Sequence, residues 1–151
     1  MAPDNLSEFA RRVHDQLCGN ILPFWTGPAL DHEQGGWLAW MSNDLRVDRS
    51  QPKGLILNSR ILWAFSAVYR AQPQPLYQEM AKRAFEVVMK GFWDLQYGGA
   101  FWRIDGEGRV GREAALQVGV ELGRHLARRS GVPGVGRRLK GYDLARGVHR
   151  R

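Results

Sequence analysis

The stretch Tyr97-Gly98-Gly99-Ala100-Phe101-Trp102, closed by Arg109-Val110, repeats an earlier one: Gly35-Gly36-Trp37 with Trp40, closed by Arg46-Val47. Aligning Gly35 with Gly98 gives a period of 63 residues, and Arg46-Val47 then falls on Arg109-Val110 without a gap. Phe92-Trp93 ahead of the second copy echoes Phe24-Trp25 ahead of the first. Each unit reads as two helices plus a hairpin. Periods of this length mark stacked or toroidal helical arrays, in which no single unit buries its own apolar face. Six helix pairs at this period would take roughly 380 residues, so the 151 residues are expected to hold part of such an array.

Working outward from the repeat, the helices can be placed by periodicity. Asn5 with Glu8 three residues later suggests a capping box, and Leu6, Phe9, Val13, Leu17 and Ile21 follow at helical spacing. The first helix is expected to run to about Ile21, with Pro23, Gly27 and Pro28 breaking it. Asp31 to Gly36 lead into an aromatic hairpin over Trp37 to Val47, turning near Asn43-Asp44. Pro52 opens a second helix from about Lys53 to Ala71, apolar on most sides and expected to be mostly buried. Pro73 and Pro75 end it, and a third helix carries Tyr77, Met80, Ala81, Ala84, Phe85 and Val88 on one face. Glu79, Lys82, Arg83 and Glu86 lie on its more exposed side.

Composition divides the chain in two. Residues 1–111 carry 12 Lys and Arg against 12 Asp and Glu, whereas 112–151 carry 10 against 3 and hold only one aromatic residue, Tyr142. The first part can bury a core; the second has almost no large side chains to bury. The single cysteine, Cys18, excludes an intramolecular disulfide and a cysteine zinc cage. The start of the chain lacks the basic and apolar segments of a signal peptide, and no apolar run approaches the ~20 residues of a spanning helix. A soluble, cytoplasmic protein is expected.

The run Lys53-Gly54-Leu55-Ile56-Leu57-Asn58-Ser59-Arg60-Ile61-Leu62-Trp63, preceded by Ile21-Leu22-Pro23-Phe24-Trp25 and followed by the Gly98-Gly99 stretch, resembles the N-acylglucosamine 2-epimerase superfamily. The Asn-Ser-Arg-Ile-Leu-Trp wording is closer to its cellobiose 2-epimerase branch. The resemblance covers about residues 5–110 and implies an all-α fold, the N-terminal portion of an (α/α)6 barrel or toroid with short β-hairpins on one rim, incomplete in this chain. It also implies epimerisation of a free sugar at C2 through a cis-enediolate, with neither metal nor other cofactor.

That chemistry needs an acid and a base near neutrality on the two faces of C2, and a cation beside the developing oxyanion. Arg60 matches the family's helix-two arginine that contacts substrate oxygens, and its permanent charge and planar donor fork suit that role; the alternative is a surface arginine that snorkels or pairs with a carboxylate. Lys53, seven residues earlier and expected on the same helical face, is either a second sugar-binding cation or a solvated first-turn lysine. Asn58 lies about 200° around the helix from Arg60, so packing or hydrogen bonding competes with sugar contact. Trp63, like Trp37, Trp40, Phe101 and Trp102, could stack on a sugar face or belong to the core.

None of His14, His32, His125 and His149 matches a family catalytic position. Asp31-His32-Glu33 lacks a further ligand at metal spacing and reads as a solvated loop. From about Gly111 the family pattern stops, and the Arg/Gly-rich composition of 112–151 is that of an out-of-frame reading of a GC-rich gene or a disordered tail; Glu113 to Arg129 allow only a weak amphipathic helix. The expected partner is a small-molecule sugar, with no specific nucleic acid and no membrane. Self-association is expected, because missing units would leave faces such as Leu55, Ile61 and Phe65 unpaired. Two other readings stay open: a basic module binding nucleic acid or anions through the tail, and a carbohydrate hydrolase on the same toroid, using Asp31, Glu33 or Asp44.

Overall fold

The structure is a computed structural model that describes residues 5–94 and 99–110, and the backbone of short strands at 142–143 and 148–149. The boundary expected at 111–112 and the helix considered over 113–129 lie outside the described residues. The order is α1 (Asn5–Gln16), a π-helical turn (Leu17–Ile21), α2 (Leu22–Thr26), β1 (Lys53–Gly54), α3 (Leu55–Ala71), α4 (Pro75–Val87), a second π-helical turn (Val88–Phe92), β2 (Arg103–Ile104), β3 (Tyr142–Asp143) and β4 (Val148–His149). The described part is mainly helical, as expected for a section of an (α/α)6 toroid. The antiparallel pairing of β3 with β4 falls in a region for which no strand was expected.

The first helix does not stop at Ile21 but runs on through Pro23 to Thr26. Proline in a helix lacks an N–H and clashes with the carbonyl four residues back. Here the preceding turn is widened, with Leu22 N–H donating to the carbonyl of Leu17 five residues back, which gives the ring room. The Glu8 carboxylate, expected to cap the helix, is instead engaged by Arg11 at 2.8 Å.

α3 and α4 form the central pair. Leu55, Ile61, Leu62 and Phe65 of α3 are buried, as are Tyr77, Met80, Ala81, Ala84 and Phe85 of α4, the face the periodicity selects. Phe65 sits between Trp37, stacked at 6.3 Å, and Tyr77, tilted at 6.4 Å. Leu55, Ile61 and Phe65 are therefore not the unpaired apolar face. That role falls to Leu6, Phe9 and Val13 of α1, which buries no residue, and to Ile56 and Trp63 of α3.

Both expected hairpins are loops closed by isolated bridges, and their hydrogen bonds repeat at the 63-residue period. Leu30 bridges Trp37, and Trp93 bridges Ala100. Asp31 N–H donates to Gly36 O and Asp94 N–H to Gly99 O, both at 3.0 Å; Leu38 donates to Ala29 O and Phe101 to Phe92 O. Ser42 N–H donates to Arg46 O and Asp105 N–H to Arg109 O, each at 2.9 Å. Phe92-Trp93 is thus the copy of Ala29-Leu30, not of Phe24-Trp25: the aromatic echo is out of register with the backbone repeat. The one two-residue ladder here joins the two units, β1 pairing antiparallel with β2 through Lys53↔Ile104 and Gly54↔Arg103.

The repeat also exposes a strained position. Gly108 has φ +84°, and its copy Leu45, an exposed residue, is held at φ +63° in the left-handed region. A side chain there costs about 1–2 kcal/mol, partly offset by the greater chain entropy that glycine loses on folding. Leu45→Gly is expected to stabilise the fold by about 0.5–1 kcal/mol, read as a higher urea midpoint with unchanged m.

Candidate functional site

Lys53 is not on the α3 helix. Pairing with β2 holds Lys53-Gly54 extended, and the helix begins at Leu55, whose N–H donates to Trp102 O. The seven-residue spacing therefore does not bring Lys53 onto the face of Arg60. The lysine is buried, neither solvated nor on the exposed face: its Nζ donates to Asp31 Oδ2 at 2.7 Å and to Gly35 O at 2.6 Å.

Asp31 is buried as well, against the expectation of a solvated loop, while His32 and Glu33 remain exposed. Asp31 Oδ1 accepts from the N–H groups of Gln34 at 2.9 Å and Glu33 at 3.2 Å. Arg49 stands 3.6 Å from Asp31 and 3.2 Å from Glu33. From α4, Arg83 donates to the carbonyls of Asp31 at 3.0 Å and Gly36 at 3.4 Å, so it is a clamp on the loop, not one of the exposed residues of α4. Burial by itself would raise the Asp31 carboxyl; the N–H of Gln34, the hydrogen bond and charge of Lys53, and the N–H of Glu33 outweigh it and hold the group below the usual carboxylate value. Lys53 and Arg83 also border a cavity of about 440 Å³ with Gln34, Lys90 and Gly106. Sequence reasoning missed this cluster, although an Asp opening a loop that ends in Gly-Gly is the signature of a side chain folding back on its own backbone.

Arg60 and Trp63 stand together on the exposed side of α3, with Ile56 one turn before. Arg60 makes no ion pair or hydrogen bond among the described residues, so its full donor fork is available there. It lies at the lip of an apolar cavity of about 300 Å³ lined by Ile21, Trp25, Leu57, Ile61, Phe65 and Val68. A cation beside an apolar wall and an indole suits a ligand with oxygen-rich edges and a C–H face. Asn58 is on the opposite side, buried, with Nδ2 donating to Gly54 O at 2.8 Å and Oδ1 without a hydrogen-bond partner among the described residues. It holds the start of α3 and is not brought together with Arg60. Trp37 is core, its Nε1 donating to Trp25 O at 2.9 Å, whereas Trp40, Trp63 and Trp102 are accessible.

Among solved structures, a sugar epimerase from a ruminal bacterium superposes with a TM-score of 0.68 at 29% identity, over 83% of this chain and 33% of its own. The cellobiose 2-epimerase of Bacillus thermoamylovorans gives 0.68 at 25% identity, over 91% of this chain and 38% of its own. The cellobiose 2-epimerase of Eubacterium cellulosolvens is 41% identical over 97 residues, 64% of this chain and 24% of that protein. The N-terminal part of the chain is related to the cellobiose 2-epimerases. The Bacteroides fragilis cellobiose 2-epimerase agrees, at 35% identity over 98 residues. No protein-family model matches the chain. The chain spans about a quarter of the length of these curated cellobiose 2-epimerases and corresponds to part of their toroid. Among the described residues, no helix is long and apolar enough to cross a membrane.

Proposed function

We propose that this chain supplies the N-terminal part of a cofactor-independent sugar epimerase that acts at C2 of a free aldose through a cis-enediolate. The observation that carries the reading is the 41% identity with a cellobiose 2-epimerase over 97 residues. Arg60 takes the oxyanion side: it is accessible, it has no competing carboxylate among the described residues, and a guanidinium can donate two hydrogen bonds to adjacent sugar oxygens. Trp63, one turn on, offers a face to the sugar ring. Lys53 and Asn58 act on the framework, because their nitrogen donors are committed to Asp31, Gly35 and Gly54. The partner is a small free sugar; neither nucleic acid nor a membrane surface is called for.

The hydrolase alternative loses its carboxylates to ion pairs. Asp31 is held by Lys53, Glu33 is paired with Arg49, and Asp44 with Arg46 at 2.6 Å. A chimera tests the proposal: residues 5–110 replace the matched segment of the Eubacterium cellulosolvens enzyme, and deuterium incorporation at C2 of cellobiose is followed in D2O. Exchange is expected, and Arg60→Ala in the chimera is expected to reduce it by about 10²–10³-fold, the usual effect of removing an oxyanion donor. A folded chimera without exchange, or one indifferent to Arg60→Ala, would refute the assignment.

A further inference from the structure

Arg83, Val87 and Lys90 recur at helical spacing along one side of α4 and the π-helical turn that extends it. They border the cavity of about 440 Å³ whose other walls come from both copies of the repeated loop, Gly35-Gly36 in the first and Gly106 to Gly108 in the second. The two loops are in close contact because Gly106 is buried and lacks a side chain: a Cβ there would collide with the carbonyl of Arg49. This cavity shares no lining residue with the one at Arg60, and its volume is that of a small-molecule site.

The charges around it do not cancel. Lys53 is held by Asp31, Lys90 by Glu86 at 3.0 Å, and Glu107 by Arg109 at 2.7 Å. Arg83 has no carboxylate partner among the described residues: its Nε–H and one Nη–H donate to the carbonyls of Gly36 and Asp31, and its other Nη–H groups have no acceptor there. A half-buried guanidinium with spare donors and no counter-charge is suited to a carboxylate or phosphate group, which it can hold through two parallel hydrogen bonds. We infer that this cavity binds a small molecule through an oxyanion, a carboxylate or a phosphate, paired with Arg83 and drawn in by the exposed Lys90 at its edge. Clamping the loop and holding the anion use different N–H groups, so Arg83 does both. The inference does not depend on the epimerase reading.

The test is a titration of the nitrogen-15-labelled 151-residue chain with inorganic phosphate and, separately, with acetate at constant ionic strength. The Arg83 Nε–H signal, identified by its absence in Arg83→Lys, is expected to shift saturably with at least one of the two. The anion that saturates at the lower concentration tells a phosphate-bearing ligand from a carboxylate-bearing one. The backbone amides of Gly36 and Gly108, assigned in the parent chain, report the same titration should Arg83→Lys loosen the loop. Lys90→Glu is expected to weaken the affinity about threefold, the scale of an exposed charge pair. Lys82→Glu makes the same change of charge on α4 at an exposed position outside the cavity and is expected to leave the affinity unchanged. The absence of a saturable shift with either anion overturns the inference. So does a Lys82→Glu chain that loses as much affinity as Lys90→Glu, because the net charge of +7 would then account for the binding.

Discussion

Incubated by itself with cellobiose or mannose in D2O, the 151-residue chain is expected to leave the C2 proton in place, at the level of a boiled control. Arg60 can stabilise an enediolate, but proton abstraction also needs a positioned base and acid. Among the residues whose side chains are described, the histidines are His14 and His32. His14 contacts Cys18 and Gln72, and Gln72 follows the last turn of α3, about 18 Å along the axis from Arg60 at 1.5 Å per residue. His32 is exposed in the loop whose Asp31, Gly35 and Gly36 are tied to Lys53 and Arg83. General acid and base groups each contribute about 10²- to 10⁴-fold, so loss of both removes most of the acceleration even where sugar still binds. Exchange above the control would overturn this expectation, and mass spectrometry of recovered sugar detects it even when no epimer accumulates.

Lys53→Met is expected to destabilise the fold by about 3 kcal/mol, the lower end of the range for breaking a buried ion pair, because Arg49 remains 3.6 Å from Asp31 as a partial counter-charge. Asp31→Ala combined with Lys53→Met should cost less than Lys53→Met alone, since no unpaired buried charge is left. Urea denaturation of Lys53→Met, Asp31→Ala and the double variant decides this; additive losses would show that the two residues do not act as a pair. The same pair sets an acid dependence. The Asp31 carboxyl is lowered in the folded state, so its contribution is fully present above the unfolded value of about 3.9 and is lost as pH falls through the lower, folded one. Stability should hold above about pH 5 and decline in acid, with a smaller decline in Lys53→Met, where the Asp31 carboxyl loses the hydrogen bond and charge that help to lower it.

The repeat was legible because its markers are backbone markers. Glycines at positive φ, such as Gly36 at +71° and Gly99 at +86°, are required by the loop path whatever packs around it. Phe92-Trp93 misled for the opposite reason: aromatic pairs report burial, and a buried site can be filled by Ala29-Leu30 in one copy and by Phe92-Trp93 in the other. The exposed and buried sides of α4 were readable from 3.6-residue periodicity, except at Arg83, whose length lets it reach back to the loop carbonyls.

By itself, the sequence determined the helices and the two-copy loop pattern and singled out Arg60 as a candidate, because hydrophobic spacing, glycine placement and a family motif are local properties. Tertiary structure decided the fate of Lys53. Only the pairing of β1 with β2, between residues some fifty positions apart, pulls it off the helix and sets its ammonium 2.7 Å from a carboxylate 22 residues earlier. It also decided which apolar faces stay bare, since burial of a side chain depends on which other elements reach it, and none of the described elements covers Leu6, Phe9 and Val13 of α1.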